Sequence, residues 1–108
     1  MLDLASILDL VSGLLEKRKA GEAEKNRDRV LVAIYMLGNN GTTAVTPGQL
    51  EAQGGFTKLQ IHDAIEMAEE KAWIVDCTTL EGIAWALKPR AIYYVEGLLE
   101  AQKASQKK

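Results

Sequence analysis

A single cysteine, Cys77, leaves the chain no internal disulfide, which fits a reducing compartment. The only histidine, His62, has no second histidine or cysteine at ligand spacing. Glu66 lies one helical turn from it, with Asp63, Glu69 and Glu70 nearby, but an exposed acidic helix face is the commoner use of such residues. No metal is expected. There is no glycine-rich phosphate loop, so neither a catalytic site nor a cofactor is expected. Long apolar runs are missing too. The opening MLDLASILDLVSGLLEKRK is broken by Asp3 and Asp9, where a secretory signal would carry basic residues, and it is interrupted too often to span a membrane. These features predict a cytoplasmic protein.

What is present is ordinary in quantity and uneven in placement. The 108 residues make one domain by length, with 47% hydrophobic and 26% charged residues, as in soluble globular chains. The net charge of −2 hides an acidic middle. Residues 42–82 hold two lysines against seven acids, while residues 16–29 and 83–108 carry net charges of +2 and +3.

Leu4, Ile7, Leu8, Val11, Leu14 and Leu15 recur at helical spacing, with Leu2 and Leu10 widening the stripe, and predict an amphipathic helix over residues 2–19. AGEAEKNRD reads as a polar break, and a second helix is expected from Arg27 to Leu37, stopped by Gly38-Asn39-Asn40-Gly41. Thr42 to Val45 are β-branched enough for a short strand.

VTPGQLEAQGGFTKLQI then writes the same grammar twice, eleven residues apart. Thr46 and Gln49, like Thr57 and Gln60, have the spacing of a capping box. Val45 with Leu50, and Phe56 with Ile61, occupy the flanking staple positions. Pro47 suits a first helical position, and Gly54-Gly55 ends the first helix after barely two turns. The second is expected over 57–72. Alternation then predicts a strand at 73–78, a turn at Thr79-Leu80-Glu81-Gly82 and a return strand at 83–87. Cys77, Trp73, Trp85, Tyr93 and Tyr94 are assigned to packing. Lys88-Pro89 opens a last helix through Leu98 and Leu99, and residues 101–108 form a polar tail.

This order, a mainly α chain with a small β-hairpin, resembles a winged helix-turn-helix domain. The paired caps, the inward Ile61, Ile65 and Ala68, the run EEKAWIV at 69–75 and the step ALKPRA at 86–91 carry the resemblance. It covers about residues 27–100, is similar to small MarR-like and PadR-like prokaryotic regulators, and adds terminal helices to a three-helix core plus wing. Ala72 stands where the familiar exit into the wing has glycine; Lys88 and Ala91 replace the usual threonine and glycine after it.

The resemblance implies a transcriptional regulator whose second motif helix enters the major groove of duplex DNA. Its candidate contacts are Thr46, Thr57, Lys58, Leu59, Gln60 and His62, with Lys88, Arg90, Arg27 and Arg29 on phosphates. Asp63, Glu66, Glu69 and Glu70 on that helix, and Leu80 and Glu81 at the wing tip, depart from the pattern. They favour an alternative, a protein-interaction module whose acidic helix docks a basic partner. The stripe of residues 1–20 must be covered, either by its own domain or by a twofold copy. The homodimer is the expected answer, with Leu4, Ile7, Leu8, Val11, Leu14, Leu15, Leu98 and Leu99 at its interface.

Overall fold

The computed structural model describes residues 3–106, so Met1, Leu2, Lys107 and Lys108 lie outside the described residues. The described residues form five helices and a two-stranded antiparallel sheet that packs on α2, α4 and α5: α1 (Leu4–Lys17), α2 (Glu22–Leu37), α3 (Pro47–Gly54), α4 (Lys58–Glu70), β1 (Ile74–Asp76), β2 (Trp85–Leu87) and α5 (Pro89–Gln106). The mainly helical class with one hairpin is as the sequence implies. No helix among the described residues is long and apolar enough to cross a membrane.

Both capping boxes form. Thr46 Oγ1 accepts from the Gln49 amide at 3.2 Å while Gln49 Oε1 accepts from the Thr46 amide at 2.9 Å. Thr57 and Gln60 repeat the exchange at 3.1 and 2.9 Å. Each box satisfies donors that a helix start otherwise leaves open. The staple residues Val45, Leu50, Phe56 and Ile61 are all buried beside them. Between the helices Gly55 takes the left-handed conformation at φ 72°, which turns the chain sharply enough that only three residues separate α3 from α4.

The hairpin pairs Ile74 with Leu87, Val75 with Ala86 and Asp76 with Trp85. It is shorter than the alternation implies, although Thr79 and Gly82 bridge at the expected turn and the Cys77 amide donates to Ala84. The expected strand at 42–45 is reduced to one bridge, Val45 to Trp85, on the other edge of β2.

α1 and α4 each stop two residues short of the expected 19 and 72, and two helix limits differ by more. α2 starts at Glu22 instead of Arg27, because AGEAEKNRD holds good helix formers and its glycine lies at the cap. Glu22 and Glu24 favour the positive end of the helix, and Lys25 Nζ lies 2.9 Å from Glu22. α5 runs to Gln106 through the expected polar tail, which has no breaker and buries Gln102.

The core continues into α1. Leu8, Val11 and Leu15 are buried against the remaining elements, with α1 packed on α2 and α5. Part of the stripe is therefore covered from within, while Leu10 stays half-exposed outside that core. Of the eight residues expected between subunits, Leu8, Val11, Leu15 and Leu98 are already buried in the single chain, and Leu4, Ile7, Leu14 and Leu99 are half-buried against the same core. Cys77 is half-buried and Tyr93, expected to pack, is 73% exposed.

Charge also enters the interior. Arg27, expected on phosphates, is 6% exposed and Asp28 beside it 1%. Asp28 Oδ1 accepts from Arg27 Nε at 2.9 Å, and its Oδ2 accepts from the Tyr94 hydroxyl at 2.7 Å. The Arg27 guanidinium lies over the Trp73 and Tyr94 rings, 5.3 and 5.7 Å from their centroids. Burial, then the hydrogen bond to Asp28, pushes the Tyr94 phenol up to about 12.

α4 ends in a Schellman turn: Trp73 donates to Ala68 and Ala72 to Glu69, with Ala72 at φ 58°. An L-residue with a Cβ is strained there, and exposed Ala72 has little packing to lose. Ala72→Gly is expected to stabilise the fold by about 0.5–1 kcal/mol, the relief exceeding the extra freedom glycine gives the unfolded chain. Urea titration checks the sign; a loss of stability would show that the junction is not strained.

Candidate functional site

The outward face of α4 and one face of the hairpin form two walls of a groove of about 550 Å³. α4 contributes Lys58, Ile61, His62, Ile65, Glu66 and Glu69 to it, residues repeating at helical spacing along a single side. In the antiparallel register Asp76 faces Trp85, and alternation places Thr78 and Ile83 on the same side of the ribbon; all four line the groove. Pro47, at the start of α3, also lines it.

Its floor is apolar. Ile61 and Ile65 are buried beneath it, Trp85 is half-buried and Ile83 is 52% exposed. Its rim is acidic, with Glu66, Glu69 and Asp76 against the single ammonium of Lys58. Thr78 holds the Asp76 carboxyl below the usual aspartate value through its side chain and its amide, which donates at 2.9 Å. The His62 imidazole lies 3.6 Å from Asp63 and 3.9 Å from Glu66. Among the described residues no group of three or more His, Cys, Asp or Glu side chains is placed to hold a metal ion.

The candidate nucleic-acid contacts do not gather into one basic surface. Thr46 and Thr57 are engaged as caps, and the Gln60 side chain is returned to Thr57 while the Gln60 backbone carbonyl accepts from Asn26 Nδ2 at 2.8 Å. Lys58, Leu59 and His62 do face solvent, Leu59 at 69% exposure. Lys88 and Arg90 are exposed at the foot of the hairpin, in a hollow with Ala72 and Pro89 that shares no residue with the groove. Arg29 is half-buried with its guanidinium 5.5 Å from the Phe56 ring centroid. It lines a separate polar hollow with Asn26 and Gln60. Arg27 is internal.

Of the residues lining this candidate groove, Pro47, Ile61, Ile65, Asp76, Thr78, Ile83 and Trp85 were not singled out from the sequence as contacts. The signal was present in the alternation, which sets Ile83 and Trp85 on the face carrying Asp76. The chain matches no protein family, and comparison with curated proteins and with solved structures likewise found no match.

Proposed function

We propose that the chain is a winged helix-turn-helix domain that works as a protein-interaction module, with α4 and the hairpin as its binding face. In this reading α3 and α4 are the motif, the ribbon of β1 and β2 is the wing, Val45 adds a single bridge on the other edge of β2, and α1 and α5 are additions to the core. The element order, the twin capping boxes and the Schellman exit at Ala72 support it.

One observation carries the choice of protein over nucleic acid: the face a DNA-reading helix would present is acidic and apolar. Asp63, Glu66, Glu69 and Glu70 are exposed on α4 and Asp76 and Glu81 on the hairpin, while Lys58 is the only exposed lysine or arginine within α4. Duplex affinity depends on cations that replace counterions condensed on phosphates, and this face would add repulsion instead. Burial of Arg27 removes one intended phosphate contact.

The regulator reading, with duplex DNA as partner of a homodimer, keeps one favouring observation. Lys88 and Arg90 stand exposed at the wing's foot, where a second copy would be needed to set them along the backbone. A gel-shift titration against random duplex at two salt concentrations separates the two. The interaction module is expected to give no shift at about 10 μM protein in about 150 mM salt, where non-specific binders have dissociation constants of about 1–100 μM. A tight shift that weakens steeply with salt and is lost in Lys58→Glu would reinstate DNA.

A further inference from the structure

The geometry points to an occupant for the groove: an amphipathic helix of a partner protein, with apolar side chains one turn apart on one face and Lys or Arg along its margins. This rests on the interaction-module reading and names the partner chemistry that reading leaves open.

The dimensions suit a helix. The α4 wall runs from Lys58 to Glu69, which at 1.5 Å per residue is about 17 Å, or three turns. Apolar side chains recurring every three to four residues on an entering helix would meet Ile61 and Ile65 from one wall and Ile83 and Trp85 from the other. Ile83 is half exposed and sits across from α4, so its side chain gains most from being covered.

The charges choose the sign of the partner. Glu66 and Glu69 on one wall and Asp76 on the other leave carboxylates on both sides of the apolar floor. A helix with Lys or Arg at its margins would pair with both rims. An acidic helix would meet repulsion from both.

An extended strand is a poorer fit. The outer edge of β1 is three residues long, and the Thr78 amide beyond it is already bonded to Asp76. A second copy of the chain is poorer still. Among the described residues, α1, α2 and α5 set most of their apolar side chains into the core of their own chain, so a copy has little free amphipathic surface on them to insert.

The test is selection of a phage-displayed library of random 16-residue peptides against the full chain, followed by titration of the enriched peptides using tryptophan fluorescence. Enriched peptides are expected to carry net positive charge and apolar residues at i and i+3 or i+4, and to gain helical circular dichroism on binding. Ile83→Glu, which changes an exposed position, is expected to weaken them about tenfold or more. The double variant Glu66→Lys, Glu69→Lys is expected to do the same, with the gap closing near 1 M salt.

Circular dichroism of the free variants confirms that they fold. Enriched peptides that are neutral, acidic or indifferent to both variants overturn the proposal, as does a selection that returns none. A dimer in sedimentation that Ile83→Glu dissociates assigns the groove to a second copy and overturns it as well. None of these results requires DNA to bind, so they leave the interaction module standing; only the gel shift removes that.

Discussion

Asp28→Ala is expected to lower the free energy of unfolding by about 3–5 kcal/mol, measured by urea titration. The loss arises less from the bonds removed than from the charge left behind. Arg27 is buried as well, with 7% of its side chain exposed against 1% for Asp28. Burial alone would depress the guanidinium's pKa, but the Asp28 carboxylate, with Tyr94, outweighs it and leaves the pKa above the ordinary arginine value. Without Asp28, a cation stays in the interior with one remaining hydrogen bond, to the Tyr94 hydroxyl at 3.3 Å. Domains of this size hold only about 5–15 kcal/mol in total, so the variant should sit near its unfolding midpoint in mild denaturant. The double change Arg27→Met, Asp28→Leu should recover most of the loss, since no charge is then stranded. A single-variant cost within about 1 kcal/mol of zero would mean that water reaches Arg27 and the pair is not internal.

Leu8→Ala is the second large effect expected, at about 2–5 kcal/mol. Leu8 is 2% exposed on α1, in the same core as Val30, Ile34 and Leu98. Truncation leaves a cavity between helices that cannot fully collapse onto it. If α1 covers its own domain, the midpoint of thermal unfolding should not change with protein concentration in either the parent or the variant. A melting temperature that rises with concentration, and a Leu8→Ala penalty that grows on dilution, would instead place this helix between subunits.

Local grammar was the legible part. The starts of α3 and α4 could be read because the bonds that fix them join residues three apart, so all the information lies within a short window. The hairpin turn was legible for the same reason. The start of α2 was not, because Glu22 to Asn26 have good helical propensity but no apolar rhythm to mark them. Arg27 and Asp28 were hidden by a sound habit of reading charged residues as surface. Their burial depends on Trp73 and Tyr94, which arrive from more than forty residues away. The groove needs α4 and both strands in place before it exists, so no window of sequence contains it.

Ala72 lies in the three-residue junction between the two walls of that groove, and its methyl group confines the backbone to a narrow range of angles. Glycine there would ease the strain but also let the ribbon swing relative to the helix. On the proposed reading, the alanine would exchange some resistance to unfolding for a cleft that is narrower in its range of widths before a guest arrives, so that less freedom is lost on binding.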